Sequence, residues 1–393
     1  MFIQRLQTLS LAVACLALIL LAAACGSGRS ASGGQASTTP AATPTSASLA
    51  PTTTGSPSAA PVAAPTHFKA ASITFVSGDE AFCLGTARGH GTLLLSTHDR
   101  GASWTELAVL PGPLGRPGSG ASSAVWGTRF ASALQGFVFG DRLWETPDGG
   151  LHWAPAPAPA GQILSLAPID GQLLGLVAKS SGSAVLVRRP LAGGPWYNVA
   201  TVKSVGLLDP TDLISTQSGT AAVLDGSSVL VTTNGGLSIT SRPTPSVAGF
   251  TPGLVAVTSA HSLALLLVGQ GAAGSSGKLV YTSSDAGAHW TKAGAPSNEG
   301  DPVTLAGGSP TNLIFGAASG ASWLERSANG GHSWTTGLTY GDGGLGWADL
   351  GFTNASAAVV VHGPADSVGN SDGRPGQLLL SSNGGATWNS VTF

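Results

Sequence analysis

One short pattern, S/T-x-D/N-x-G-x-x-W, recurs seven times between residue 97 and residue 388 of the 393-residue chain. Its last position falls at residues 104, 153, 196, 239, 290, 334 and 388, so successive copies lie about 43 to 54 residues apart. Two copies are degenerate: the third begins with Arg189 and lacks the acid or amide, and the fourth ends in Ile239 instead of tryptophan. A period of this length, built from short apolar segments and glycine turns, predicts a β-propeller with one blade per copy.

Each position of the pattern predicts an architectural role. A short apolar segment precedes every copy, which places the pattern in the hairpin turn between the third and fourth strands of a blade. The invariant glycine indicates a backbone with positive φ, the acid or amide is expected to accept hydrogen bonds from turn amides, and the tryptophan offers a large apolar plate. The residues assigned to this structural set are Asp99, Gly101, Trp104, Asp148, Gly150, Trp153, Gly193, Trp196, Asn234, Gly236, Asp285, Gly287, Trp290, Asn329, Gly331, Trp334, Asn383, Gly385 and Trp388.

By these residues the chain resembles the Asp-box (BNR) propellers, which include sialidases, xyloglucan-type glycosidases, sortilin-like receptors and photosystem II assembly-factor-like proteins. Residues 130–140 followed by 143–150 are most similar to the assembly-factor pattern. The resemblance spans about residues 70 to 393 and implies an all-β, seven-bladed β-propeller with four-stranded antiparallel blades. Six or eight blades are the alternatives, depending on how the degenerate copies are counted. Because such proteins share turns rather than chemistry, the resemblance specifies fold far more than function.

The first 24 residues carry one charge, Arg5, ahead of an apolar segment, which is typical of a secretory signal peptide. They end in Leu21-Ala-Ala-Ala-Cys25, which resembles a bacterial lipobox and implies cleavage before Cys25 and lipidation of its thiol. A secreted protein without lipid, or an uncleaved anchor, is the alternative. Residues 25–66, rich in Ser, Thr, Pro, Gly and Ala, predict a disordered linker, and residues 67–393 form the predicted propeller. The protein is therefore expected on the outer face of a bacterial membrane, held by its N-terminal lipid.

Charged residues make up only 9% of the chain, and the formal net charge is −2. Binding to a phosphate backbone needs clustered lysine and arginine, so nucleic acid is excluded as a partner. Cys83 is the one cysteine within the predicted propeller, which rules out a disulfide framework or a cysteine-based metal site there. The sequence predicts no cofactor and no metal; the acids at 366–372 lack the compact order of a calcium loop.

Candidate ligand residues are expected on the face opposite the repeated turns, where second-to-third-strand loops and interblade links should lie. Because blade seven adjoins blade one, these groups could converge near the closure seam and hold a sugar or a peptide terminus. A solvated glycine- and aspartate-rich loop is the plain alternative. The candidates are Arg88, His90, Trp126, Arg129, Tyr340, Asp342, Trp347, Asp349, His362, Asp366, Asp372 and Arg374.

No catalytic residue is predicted. A sialidase-like site needs an arginine triad and a tyrosine nucleophile, and the early Arg-Ile-Pro signature of that family is absent. A xyloglucanase-like site needs two facing carboxylates; Asp209, Asp212, Asp301 and Asp342 fall in interblade links, but the sequence alone does not show that any two of them face each other. The predicted function is non-enzymatic binding or scaffolding of a protein, peptide or glycan, and the alternative is an extracellular glycoside hydrolase.

Overall fold

The computed structural model describes residues 62–116, 123–179, 183–203, 213–363 and 376–393. These residues form 29 β-strands in seven antiparallel sheets and contain no helix, hence none long and apolar enough to cross a membrane. The seven-bladed propeller expected from the repeated pattern is confirmed, with one sheet for each copy.

Six blades have four strands each, and in these blades the strands lie in the sheet in chain order. Blade one comprises β1 Val62–Ala63, β2 Lys69–Phe75, β3 Ala81–Thr86, β4 Thr92–Thr97 and β5 Thr105–Leu110. Blade two comprises β6 Val125–Phe130, β7 Gly136–Gly140, β8 Leu143–Thr146 and β9 Ala154–Pro155. Blade three comprises β10 Ile163–Ile169, β11 Gln172–Ala178, β12 Ala184–Pro190 and β13 Tyr197–Val202. Blades four and five comprise β14 Ser215–Gln217, β15 Thr220–Asp225, β16 Ser228–Thr232 and β17 Thr240–Pro243; β18 Phe250–Val257, β19 Leu263–Ala272, β20 Ser275–Ser283 and β21 Thr291–Gly294. Blades six and seven comprise β22 Asp301–Gly307, β23 Leu313–Ala318, β24 Gly320–Ser327 and β25 Thr335–Gly343; β26 Trp347–Phe352, β27 Ala358–His362, β28 Gln377–Ser381 and β29 Asn389–Ser390.

The first strand of each blade is the innermost. Contacts between neighbouring blades run through these strands, as between β2 and β6, β18 and β22, and β22 and β26, so they surround the centre of the ring. Blade seven packs directly on blade one, because β2 contacts β26, β27 and β28. In the described residues no strand is exchanged between these two blades.

Blade one carries a fifth strand on its outer edge. In β1, Val62 pairs with Glu106 and Ala63 with Thr105. This segment falls within residues 25–66, which the sequence assigns to the linker. Such pairing uses main-chain groups alone, so two small residues at a sheet edge leave no apolar period in the sequence. The division into signal peptide, linker and propeller remains a prediction, since residues 1–61 lie outside the described part.

Aromatic side chains pack at the closure seam, the junction between blade seven and blade one. The ring of Phe393 lies with its centroid 4.8 Å from that of Phe68 and 5.5 Å from that of Trp104, and both partners belong to the first blade or the segment that enters it. The amide of Ala70 also donates to the carbonyl of Gly376 across the seam, at 2.8 Å. Closure therefore rests on side-chain packing and a main-chain hydrogen bond between the two terminal blades.

The repeated turns are the seven segments that carry the sequence pattern, and all but the third share one set of hydrogen bonds around the hydroxyl of the first position. In the first turn the Thr97 hydroxyl donates to Asp99 Oδ1 at 2.7 Å and accepts from the Gly101 amide at 2.9 Å. The Asp99 carboxylate accepts from the Ser103 amide at 2.9 Å, and the Trp104 indole donates to the Gly101 carbonyl at 3.1 Å. The pattern glycine has a φ between 82° and 97° in all seven turns, as its invariance indicates.

The seventh position of the turn was not identified from the sequence. Ser103 donates its hydroxyl to Asp99 Oδ2 at 2.5 Å, and His152 and His289 place Nδ1 2.6 Å from the carboxylate of their own turns. Hydrogen bonds from Ser103 lower the pKa of Asp99 to about 2, and those from His152 lower the pKa of Asp148 to about 2. The sequence carries a signal for this hydrogen bond to the turn acid or amide, because Ser, His and Thr alternate at the seventh position.

The degenerate turns belong to the blades with the shortest inner loops. The loop between the first and second strands has two residues in blades three and four and five residues in the other blades. In blade three, Arg189 replaces the hydroxyl residue; its buried guanidinium pairs with Glu145 of blade two and lies over the ring of Trp196, 5.3 Å from its centroid. A cation thus occupies the position of the lost hydroxyl and acid.

Candidate functional site

A cavity of about 320 Å³ lies at the centre of the ring, lined by residues from the innermost strands of all seven blades. Its lining includes Phe75, Phe130 and Phe352, each at the end of its strand. Since innermost strands end on the side where the third-to-fourth-strand turns lie, the cavity is at the same end of the ring as the repeated turns. The sequence placed ligand-contacting residues at the opposite end.

Two of the predicted ligand residues on that opposite side serve as packing instead. Trp126 is the second residue of β6 and Trp347 is the first residue of β26, and each is 2% exposed. Their indoles donate to main-chain carbonyls of Ile163 and Ala317, both at 3.1 Å. An indole whose N–H is satisfied by a neighbouring strand is held between blades and presents little surface to a ligand.

Arg129 and Asp349 are the charged residues among those lining the cavity. Asp349 Oδ1 accepts from Arg129 at 2.8 Å, and its Oδ2 accepts from the amide of Ile73 at 2.7 Å. The side chains are 14% and 2% exposed, respectively, and Arg129 also donates to Ser72 and to the carbonyl of Thr128. The carboxylate therefore joins blades seven, one and two, and the two charges neutralise each other at the wall of the cavity.

A second cluster joins four of the predicted residues at the junction of blades six and seven. His362 Nε2 lies 2.5 Å from Asp342 Oδ2, which also accepts from the Ser322 hydroxyl at 2.8 Å. The ring of Tyr340 stacks on the imidazole at 4.3 Å, and the Trp347 ring lies 4.9 Å from it. The sequence placed these side chains near the seam, and the structure brings them into contact.

The electrostatics of this cluster indicate a neutral imidazole. Burial lowers the pKa of His362 despite the opposing effect of Asp342. Burial alone would raise the pKa of Asp342, but hydrogen bonds from His362, Gly344 and Ser322 hold it below its usual value. The imidazole is 2% exposed, and its Nδ1 has no hydrogen-bond partner among the described residues.

The cluster does not form a nucleophilic site. The hydroxyl of Ser322 bonds to the carboxylate of Asp342 rather than to the imidazole of His362, so no base is placed to take its proton. Ser322 is also fully buried. Cys83 is likewise buried, and desolvation followed by the charge of Asp349 raises the pKa of its thiol well above the usual range, so it stays protonated.

The remaining candidates are not brought together by the described structure. Arg88 and His90 lie exposed in the hairpin loop of blade one, and neither side chain has a hydrogen-bond or ion-pair partner in the described part of the chain. Asp366, Asp372 and Arg374 lie outside the described residues, as do Asp209 and Asp212. No set of three or more His, Cys, Asp or Glu side chains within the described ranges is arranged to hold a metal ion.

No protein-family model and no curated protein sequence matches this chain. Solved structures are similar in fold: YCF48 bound to a D1 peptide shares 15% identity over 82% of this chain and 95% of that chain, with a TM-score of 0.55. YCF48 from Cyanidioschyzon merolae shares 15% identity over 82% of this chain and 98% of that one, with a TM-score of 0.54. A GH74 enzyme from Niastella koreensis covers 82% of this chain and 71% of its own at 14% identity, but its TM-score of 0.29 is too low to support an argument. At these identities the likeness shows the fold alone.

Proposed function

We propose that this propeller is a non-enzymatic binding module whose central cavity receives part of a protein or peptide partner. The observation that carries the proposal is a cavity of about 320 Å³ whose two charged lining residues, Arg129 and Asp349, are bonded to each other. Ligand pockets begin at about 300 Å³, so a side chain or a short turn of a partner would fit. The similar propeller solved with a D1 peptide supports a peptide as the kind of ligand.

Hydrolysis of a glycoside is disfavoured by the same site. Both retaining and inverting glycosidases need two carboxyl groups flanking the scissile bond. The described lining of the cavity contains one, Asp349, whose two oxygens accept from Arg129 and from the Ile73 amide. A carboxylate held in this way stabilises the ring and is not free to protonate a leaving group or to attack a sugar.

The cellular setting of the proposal rests on the sequence. The protein would be lipidated at Cys25 and displayed on the outer face of the membrane, with the residues between Cys25 and β1 as a tether. Metabolic labelling with an alkyne fatty acid tests this: incorporation should occur in the full chain and be lost in Cys25→Ala. Label that persists in Cys25→Ala would contradict the anchor.

The binding site can be tested by filling the cavity. Thr216 lines the cavity, is exposed to it and makes no side-chain hydrogen bond in the described structure, so Thr216→Trp should occupy the space without removing a structural contact. Ser241→Trp, on the exposed outer strand of the same blade, is the matched control. Peptides selected from a displayed library against the full chain should bind the control but lose affinity for Thr216→Trp.

Three results would contradict the proposal. They are binders that tolerate both variants, selective binding on a glycan array in place of peptides, and turnover of fluorogenic glycosides by the unmodified chain. The last result would restore the glycoside hydrolase alternative.

A further inference from the structure

Three repeated turns contain asparagine followed by glycine: Asn234-Gly235, Asn329-Gly330 and Asn383-Gly384. The three amides are held in the same way. Their Oδ1 atoms accept from the main-chain amide at the seventh position at 3.0, 3.0 and 2.9 Å, and their Nδ2 atoms donate to its hydroxyl at 2.9, 2.9 and 2.8 Å. An asparagine followed by glycine is open to ring closure, because glycine offers no side chain to obstruct attack by its own nitrogen.

The glycine nitrogens differ. Gly330 donates to the carbonyl of Thr311 at 2.9 Å, and Gly384 donates to that of Ser356 at 2.5 Å. The same main-chain bond, from the fourth position of the turn to the inner loop, occurs in blades one, two and five. Gly235 has no such bond, and no other acceptor among the described residues takes its N–H.

The missing bond has a structural cause. The acceptor belongs to the five-residue loop between the first and second strands of the same blade, and in blade four this loop is reduced to Ser218 and Gly219. Two residues suffice to turn the chain but place no carbonyl under the outer turn. Gly235 therefore keeps an N–H without a hydrogen-bond partner among the described residues, in a buried position beside Asp170 and Gln172 of blade three. The neighbouring Asn234 is exposed, and its carbonyl oxygen accepts from Thr232 at 2.9 Å and from the Ser238 amide at 3.0 Å.

We propose that Asn234 is a site of spontaneous deamidation, selected over Asn329 and Asn383 by the free N–H of Gly235. Hydroxide removes the proton from the Gly235 nitrogen, which attacks Cγ of Asn234. The new N–Cγ bond closes a succinimide ring as the bond from Cγ to Nδ2 breaks, and Nδ2 leaves as ammonia after taking a proton from water. Water then opens either carbonyl of the ring, giving aspartate or isoaspartate. One water is consumed, one ammonia is released, and nothing is oxidised or reduced.

The two products affect the turn differently. Aspartate at position 234 reproduces the acidic turns, in which a hydroxyl such as that of Ser103 donates to the carboxylate of Asp99. Isoaspartate inserts a methylene group into the main chain, which displaces the hydrogen bonds from Thr232 and Ser238. Deamidation thus converts a uniform population into one intact and one distorted form, each with an added negative charge.

The test is incubation of the folded full chain at mildly alkaline pH, with peptide mapping by tandem mass spectrometry. Conversion at Asn234 should be about threefold to tenfold faster than at Asn329 or Asn383, the factor expected for the loss of one main-chain hydrogen bond. Amide hydrogen exchange gives an independent readout: the Gly235 N–H should exchange faster than those of Gly330 and Gly384.

Two controls decide the cause. In urea the three sites should convert at similar rates, because they share the dipeptide and lose the fold. Asn234→Asp should release no ammonia and show no change of mass at this position, and its unfolding midpoint should be close to that of the unmodified chain. Equal conversion of the three sites in the folded chain, faster conversion at Asn329 or Asn383, or an equally large preference in urea would overturn the proposal.

Discussion

Replacing Asp349 should destabilise the ring more than any surface charge change. The carboxylate is 2% exposed and accepts from Arg129 at 2.8 Å and from the Ile73 amide at 2.7 Å. Asp349→Ala leaves a guanidinium and an amide without these partners, and breaking a buried ion pair on one side costs about 3–5 kcal/mol. Asp349→Asn retains an acceptor for the amide, so its cost should be lower, about 1–3 kcal/mol.

A double-mutant cycle separates the ion pair from general damage to the seam. Arg129→Met leaves the carboxylate without its partner, and adding it to Asp349→Ala should cost less than the sum of the two, with a coupling energy of about 1–3 kcal/mol. Urea unfolding followed by tryptophan fluorescence gives the free energies of unfolding. Asp79→Ala is the control, because its pair with Arg100 is 58% and 78% exposed and should matter little. Additive effects, or a loss for Asp349→Ala as small as that of the control, would refute the role of this pair in closing the ring.

Three further predictions concern other parts of the fold. Gly331→Ala forces a side chain into a backbone with a φ of 89° and should cost about 1–2 kcal/mol in urea unfolding, whereas a neutral result would remove the reason for the invariant glycine. The pKa of His362 is lowered in the folded chain, so the unfolded chain binds that proton first and the melting temperature should fall as the pH drops below 6.5. His362→Gln should flatten this dependence of the melting temperature on pH. An unchanged slope in the variant would exclude His362 as its source. Phe393→Ala should lower the free energy of unfolding by about 2–3 kcal/mol, which is less than the loss for a fully buried ring. Phe393→Leu should recover most of this loss. If the two variants lower the free energy of unfolding equally, the packing of Phe393 on Phe68 and Trp104 is unimportant.

The architecture could be predicted because each repeated turn demands particular residue types. A φ near 90° requires glycine in all seven turns, and the hydroxyl that bonds its amide requires serine or threonine in six of them, so the copies mark seven hairpins directly in the sequence. The strand β1 was not predicted, since Val62 and Ala63 pair through the main chain alone. Degenerate copies could be counted correctly because spacing persists after an acid or a tryptophan is lost.

The candidate site could be predicted only as a set of neighbours. Tyr340, Asp342 and His362 meet, but at the junction of blades six and seven and not at the closure seam, and the sequence does not show that the imidazole is buried and bonded inside the protein. The central cavity left no signal, because its wall combines short segments of all seven blades, such as Ala306 and Gly307 of blade six, that lie far apart in the sequence. The burial of a side chain and the enclosure of the central cavity depend on the assembled ring and not on any one repeat.

The free N–H of Gly235 has a mechanical consequence beyond chemistry. In five blades a main-chain hydrogen bond fastens the outer turn to the inner loop beside the cavity, and in blade three Leu191 donates to Gly171 instead. Blade four has neither link in its described residues, and its turn is instead packed beside Asp170 and Gln172 of blade three. A peptide or label inserted at that corner would therefore break no main-chain hydrogen bond between the outer turn and the inner loop of its own blade.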